Sequence, residues 1–134
     1  MKFNQDSLLF IIFGYQLPKP NNQLIRMELV ISNLNKTYSN GVHALKDINL
    51  TIPQGMFGLL GPNGAGKSSL MRTLATLQEA DSGTVSFGEI DILNDKKKVR
   101  EILGYLPQEF GVYPKINAYN MLSHIASLKG IANK

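Results

Sequence analysis

Two stretches in the first half of the chain alternate apolar and polar residues. Residues 28–34 and 44–52 both show this period of two, which is typical of strands with one buried and one exposed face. The turn sequence Ser39-Asn40-Gly41 lies between them, and Pro53-Gln54-Gly55 ends the second stretch. The pattern therefore predicts an antiparallel pair of strands.

A continuous apolar run and then a helical period follow. Residues 56–60 are largely apolar, which predicts a short buried strand. Beyond them, apolar residues recur at the spacing of a helix that lies on a core: Leu70, Met71, Leu74 and Leu77. The nine residues between, GPNGAGKSS at 61–69, contain three glycines. A buried strand is thus expected to lead through a glycine-rich turn into a helix.

The second half alternates strands with helices. We expect strands over residues 84–87 and 102–106, a short polar helix over 95–100 and a longer helix over 118–129. The longer helix carries its apolar residues at helical spacing: Met121, Leu122, Ile125 and Leu128. This order predicts an α/β sheet with a small antiparallel portion at the front.

Residues 1–26 differ in texture from the rest. The apolar cluster at 8–13 is far shorter than the about 20 residues of a membrane span, and residues 16–23 are polar and contain two prolines. We therefore expect 1–26 to be a disordered or extraneous extension and the domain to occupy 27–134. The alternative is a short membrane-contacting tail.

Composition narrows the classes of function. The 134 residues, 43% of them hydrophobic, suffice for one domain with a core. Cysteine is absent, which excludes disulfides, thiolate metal sites and thiol catalysis and is compatible with a reducing cytoplasm. The net charge is +4, and the basic run at 96–100 is flanked by acidic residues without interleaved aromatics. That run predicts a solvated helix face and no nucleic-acid partner.

The glycine-rich turn fits the phosphate-binding pattern G-x-x-x-x-G-K-[ST]. Glycine lets the backbone approach an anion, and the N–H groups of residues 63–69 form a nest at a helix N-terminus. Lys67 is placed to bridge the β- and γ-phosphates of a nucleotide, and Ser68 to ligate Mg²⁺. The candidate nucleotide-binding residues are Gly61, Pro62, Asn63, Gly64, Ala65, Gly66, Lys67, Ser68 and Ser69.

The wider sequence resembles the first part of an ABC-type ATPase domain. The resemblance begins at Met27 and rests on residues 48–70, on Asp81-Ser82-Gly83-Thr84-Val85, on the Q-loop-like 105–109 and on 117–130. It implies a P-loop ATPase core with an antiparallel β portion, truncated at the start of a helical subdomain.

The resemblance also implies residue roles. Tyr38 matches the aromatic residue that stacks on adenine, and Val42 is expected to pack nearby. Gln108 matches the glutamine that reaches Mg²⁺ and the attacking water, so Lys67 and Gln108 are the expected catalytic residues and Ser68 and Gln108 the expected metal ligands. The cofactors implied are ATP and Mg²⁺.

The function implied is the ATP-binding subunit of a transporter, powering export through a membrane-spanning permease. Such a subunit works with a second ATPase domain, in the cytoplasm and peripherally on the inner face of the membrane. The alternative is a soluble ABC-type ATP switch such as a translation factor; a generic P-loop kinase fits less well. The family's LSGGQ-like signature, Asp-Glu pair and switch histidine do not occur in the 134 residues, so we expect this fragment alone to be inactive.

Overall fold

A computed structural model describes residues 9–13, 28–105, 115–128 and 130, the first of these ranges by its backbone only. The described residues form seven strands and three helices. In chain order these are β1 (Leu9–Phe13), β2 (Leu29–Thr37), β3 (His43–Ile52), β4 (Phe57–Leu59), α1 (Lys67–Leu74), β5 (Ser82–Phe87), β6 (Ile90–Asp91), α2 (Lys96–Ile102), β7 (Leu103–Gly104) and α3 (Ala118–Leu128).

Strand β2 lies at the centre of a four-stranded antiparallel sheet. The strand order is β3-β2-β5-β6, with Leu29 opposite both Ile52 of β3 and Phe87 of β5. Leu29 and Ile31 of β2 are almost completely buried, as the alternating pattern requires. Leu34 is buried too, although it is three residues after Ile31, because the register shifts between these two residues. The predicted antiparallel pair and its Ser39-Asn40-Gly41 turn are confirmed.

A second sheet contains the strand that leads into the glycine-rich turn. Its order is β4-β1-β7, and β1 is antiparallel to both neighbours, so β4 and β7 run in the same direction. The expectation of a disordered or extraneous extension over 1–26 includes no strand, whereas Leu9–Phe13 form β1. Without β1, the edges of β4 and β7 that face it would have unpaired backbone groups, and the extended segment at 9–13 pairs with both. The domain boundary at Met27 stays a prediction.

Helix α1 is shorter than the apolar spacing predicted. It ends at Leu74, Thr76 has a φ of 59°, and the N–H of Leu77 bonds to the carbonyl of Arg72 at 2.9 Å. This is a Schellman ending with a threonine where glycine is usual. The predicted place of Leu77 on the buried stripe is therefore wrong: it lies beyond the helix and is 64% exposed.

The strands of the second sheet are less buried and shorter than expected. Met56 and Leu60, at the two ends of the predicted buried strand, are exposed, and Phe57 and Leu59 are half-buried. Strand β7 has two residues because α2 continues through Ile102.

The second and third helices occur close to where the sequence places them. Helix α2 buries Val99 and exposes Lys97 and Lys98, which agrees with a solvated face. Helix α3 has no buried residue, and its Leu122 and Leu128 are mostly exposed. Within the described ranges, no helix combines the length and apolar character needed to cross a membrane.

Candidate nucleotide-binding site

The loop between β4 and α1 has a backbone that only glycine adopts easily. Gly64 and Gly66 have φ angles of 83° and 84°, in the left-handed region. Gly66 directly precedes α1, and its carbonyl accepts the N–H of Leu70 at 2.9 Å. A Cβ on Gly66 would lie 2.3 Å from the carbonyl oxygen of Ala44 in β3. The loop can therefore pack against β3 only with glycine at this position.

Lys67 ties the two ends of this loop together. It is the first residue of α1 and is 8% exposed, yet its Nζ donates hydrogen bonds to the carbonyls of Gly61 and of Pro62, the latter at 2.8 Å. An ammonium group has three N–H donors. Two of them hold the loop, which leaves the third to reach an anionic oxygen lying over it.

The remaining loop residues present an accessible surface. Gly61 and Gly66 are half-buried, and Ser69 is buried in the first turn of α1. The exposed members are Pro62, Asn63, Gly64, Ala65 and Ser68. Successive N–H groups at an accessible helix N-terminus, beside a buried cation, suit an anion such as a triphosphate.

Tyr38 is brought against this loop by the turn that joins β2 and β3. The backbone of the turn is closed by two bonds of 2.9 Å, from Tyr38 N–H to the Val42 carbonyl and from Gly41 N–H to the Tyr38 carbonyl. The Tyr38 hydroxyl lies 2.9 Å from Ser69 Oγ. Val42, in the same turn, is 53% exposed. The turn and the phosphate loop thus form one continuous surface.

Gln78 is a member of this cluster that sequence reasoning missed. It follows α1, and its Oε1 accepts a hydrogen bond from the Tyr38 hydroxyl at 2.8 Å. Its Nε2 donates to Thr73 Oγ1 at 3.2 Å. An isolated glutamine after a helix belongs to no sequence pattern, so nothing in the chain signalled it.

The candidate metal ligands are only partly described. Ser68 is exposed in the first turn of α1, where its hydroxyl is available to Mg²⁺. Gln108 lies outside the described residues. Within the described ranges, no three His, Cys, Asp or Glu side chains are grouped so as to hold a metal. The donor set fits a cation that is carried largely by phosphate oxygens.

Asp81 fastens the end of β2 next to the Tyr38 turn. Its carboxylate accepts the Lys36 ammonium at 2.7 Å and the N–H of Thr37 at 2.6 Å. The hydrogen bond from Lys36, followed by that from Thr37, lowers the pKa of Asp81 below its usual value of 3.8. Asp81 belongs to the turn sequence that carries part of the family resemblance.

Comparison with models of protein families identifies the family of this chain. The family model described as ABC transporter matches residues 45–132, which include the glycine-rich loop, α1, α2 and α3. The chain belongs to the ABC transporter family. Its predicted fold class, an incomplete ABC ATPase core with an antiparallel portion, is confirmed by solved structures of the family.

Two solved structures superpose on most of this ABC ATPase fragment. A dimeric ATP-binding cassette in a post-hydrolysis state bound to ADP and Pi has a TM-score of 0.66 and 27% identity, and the match covers 79% of this chain and 50% of that one. An ABC transporter ATP-binding protein from Pyrococcus furiosus has a TM-score of 0.63 and 29% identity, covering 80% and 51%.

Curated relatives are ATP-binding proteins of importers. The sulfate/thiosulfate import ATP-binding protein of Neisseria meningitidis serogroup B is 38% identical over 95 residues, which are 70% of this chain and 26% of that protein. The phosphonates import ATP-binding protein of Bdellovibrio bacteriovorus is 42% identical over 93 residues, 65% and 36% of the two chains. The fragment thus spans about a quarter to a third of their length.

Proposed function

We propose that this chain binds Mg·ATP as part of the ATPase subunit of an ABC transporter. The observation that carries the proposal is the nearly buried Lys67 ammonium, held by two loop carbonyls at the N-terminus of α1. A nearly buried ammonium beside a helix N-terminus favours a polyanion over a neutral ligand.

Each residue of the surface takes a role in this proposal. The loop N–H groups hold the β-phosphate, and Lys67 bridges the β- and γ-phosphates, for which its ammonium exchanges one of the two loop carbonyls for a phosphate oxygen. The exposed Ser68 hydroxyl and Gln108 would hold Mg²⁺, which would offset the negative charge of the phosphates, and Gln108 would also contact the attacking water. The Tyr38 ring, with Val42 beside it, receives adenine, because the turn of residues 38–42 adjoins the loop. Stacking there contributes about 0.5–1.5 kcal/mol beyond burial.

The family implies ATP hydrolysis. We propose that these 134 residues do not catalyse it by themselves. Hydrolysis needs a carboxylate that polarises water. Asp91, the last residue of β6, uses both carboxylate oxygens locally: they accept hydrogen bonds from the N–H of Leu93 and from the N–H and Nδ2 of Asn94. Those bonds, the Asn94 side chain first, lower the pKa of Asp91 and fix it in its own turn.

The assembly we propose is a pair of ATPase domains with a membrane-spanning permease, on the cytoplasmic face of the membrane. Support comes from the dimeric cassette among the structural neighbours and from relatives named as transport ATPases. Export, which residues 117–130 implied, finds no support among these relatives, whose names specify import. The names also favour a transporter over a soluble ATP switch.

Calorimetry with Mg·ATP tests the central proposal. The chain should bind with a Kd between micromolar and millimolar, about −8 to −4 kcal/mol. Lys67→Ala should remove most of this affinity. Lys97→Ala removes the same charge from an exposed face of α2 and should leave the affinity unchanged. Equal affinities of the wild type and Lys67→Ala would refute the assignment, provided that circular dichroism shows both to be folded.

A further inference from the structure

We propose that Gln78 is a positioning residue for the adenine-binding surface, because it fixes Tyr38 against the phosphate-loop helix before nucleotide arrives. The inference rests on the proposed function, and it assigns a role to a residue outside the phosphate-binding pattern. Gln78 contacts Tyr38 on one side and α1 on the other. It therefore links the part of the surface that would hold the base to the part that would hold the phosphates.

Only one assignment of donors and acceptors is consistent with all the hydrogen bonds around Gln78. Thr73 Oγ1 donates to the Ser69 carbonyl at 2.9 Å, so it accepts the bond from Gln78 Nε2 at 3.2 Å. The same Nε2 also approaches the Ser69 carbonyl at 3.4 Å. The amide nitrogen of Gln78 must therefore face α1, and its oxygen must face the tyrosine.

This orientation also settles the donors at Tyr38. Because Gln78 presents an oxygen, the Tyr38 hydroxyl has to donate to it at 2.8 Å. The Tyr38 oxygen is then the acceptor for Ser69 Oγ at 2.9 Å. Tyr38, Gln78, Thr73 and Ser69 thus form a network in which each of these hydroxyl and amide donors has an acceptor.

The network lies where hydrogen bonds are strong. Thr73 is 1% exposed and Ser69 9%, while Tyr38 and Gln78 are half-buried. Partly desolvated bonds that polarise one another restrain their members more than exposed ones do. The Tyr38 backbone is held as well, by its bonds to the turn that contains Val42. Both ends of the tyrosine are therefore fixed.

A fixed tyrosine lowers the entropic cost of binding the base. Ordering a free side chain at a binding surface costs about 0.5–1.5 kcal/mol. Loss of the Gln78 amide should release the Tyr38 ring and weaken ligands that contain a base. Inorganic tripolyphosphate, which would contact only the loop and Lys67, should bind as before.

The test compares two ligands in three proteins. The variants are Gln78→Leu, which keeps the size and removes the amide, and the control Gln54→Leu, an exposed glutamine in the turn after β3. For Gln78→Leu we expect the Kd of Mg·ATP to rise about 3- to 10-fold and that of Mg·tripolyphosphate to stay within about 2-fold. Gln54→Leu should match the wild type for both ligands.

Two further measurements separate positioning from a merely structural role. In a double-mutant cycle, Tyr38→Phe and Gln78→Leu should be non-additive for ATP binding, because each breaks the same bond. Without ligand, the ¹³C-labelled ring signal of Tyr38, assigned with Tyr38→Phe, should shift in Gln78→Leu.

Four outcomes would overturn the inference. Equal weakening of ATP and tripolyphosphate would make Gln78 a support of the loop itself, and unchanged binding of both would remove its role. An unmoved Tyr38 ring signal would contradict the network without reference to any nucleotide. If the wild type binds neither ligand while that signal does shift, the proposed function fails although the network stands, and the inference about adenine is rejected with it.

Discussion

The backbone of Ala44 occupies the space that a side chain on Gly66 would need, since a Cβ there would lie 2.3 Å from the Ala44 carbonyl oxygen. Gly64, two residues earlier, has almost the same φ angle but open space around its Cα. Alanine substitutions at the two positions therefore separate two contributions to stability: backbone strain, which both would have, and steric collision, which only Gly66→Ala would have.

Gly66→Ala should therefore destabilise the protein more than Gly64→Ala. The left-handed backbone costs either alanine about 1–2 kcal/mol, and only Gly66→Ala must also push the loop away from β3. Urea unfolding at low protein concentration measures both changes. Equal destabilisation would show that β3 yields freely and does not fix the loop.

Asp81 makes the stability of the hairpin end depend on pH. Its pKa is lowered in the folded state, chiefly by the hydrogen bond from Lys36, so its stabilisation is present above about pH 3.8 and is lost as the pH falls through the folded pKa. The stability difference between the wild type and Asp81→Asn should be largest near neutral pH and shrink below about pH 4. Glu79 and Asp91 also have lowered pKa values, but both are common to the two proteins and cancel.

Unfolding of the wild type and Asp81→Asn from pH 3 to 7 provides the measurement. Glu89→Gln, in the exposed turn before β6, controls for the loss of one negative charge. A difference between the wild type and Asp81→Asn that is independent of pH would mean that the carboxylate contributes through its shape, as asparagine does, and not through its charge.

The apolar residues on α3 should make the chain associate with itself. Leu122 and Leu128 are 66% and 74% exposed on a helix that buries none of its residues. The double substitution Leu122→Lys and Leu128→Lys should lower the binding of a hydrophobic dye and shift sedimentation toward the monomer. Lysines introduced instead at Asn120 and Ser127, exposed positions on the same helix, add equal charge and should have less effect. Equal effects of the two pairs would point to charge repulsion as the cause.

The 134 residues should bind nucleotide without turning it over. The Asp91 carboxylate is hydrogen-bonded to Leu93 and Asn94 of its own turn. The family's Asp-Glu pair does not occur in these residues. Phosphate release from ATP should equal that of Lys67→Ala. Steady release that Lys67→Ala abolishes would show that these residues contain a working catalytic centre.

Residues 1–26 provide a test of the domain boundary. We predict that the working domain starts at Met27, so versions of the complete gene product that begin at Met1 and at Met27 should assemble with the permease and hydrolyse ATP equally. The pairing of β1 with β4 supplies a competing expectation. Failure of the Met27 version to assemble or hydrolyse would place β1 inside the domain.

The elements predicted well from the sequence are those whose signals are local. The alternation over β2 and β3 and the Asn-Gly turn between them specify a hairpin without reference to distant residues. The signal for the glycine-rich loop is equally local, because residues 61–69 alone determine its φ angles, the start of the helix and the position of the lysine.

The elements that were missed depend on distant partners. Strand β1 pairs with β4 and β7, and the short apolar run at residues 9–13 does not by itself indicate these distant partners. Gln78 joins Tyr38, which lies far away in sequence, through its amide oxygen, and it joins Thr73 of α1 through its amide nitrogen. The end of α1 was misplaced for a different, local reason: Thr76 takes a backbone angle that threonine rarely adopts.

The pairing of β1 has a consequence for the order of folding during synthesis. The β2–β3 hairpin is complete once residue 52 has been made, and such local contacts form quickly. Strand β1 emerges from the ribosome before this hairpin, yet it must wait for Leu59 and then for Leu103 before its two partners exist. Strand β1 is therefore paired much later than it is made, and throughout that interval the unpaired backbone of this apolar segment is open to pairing with another chain.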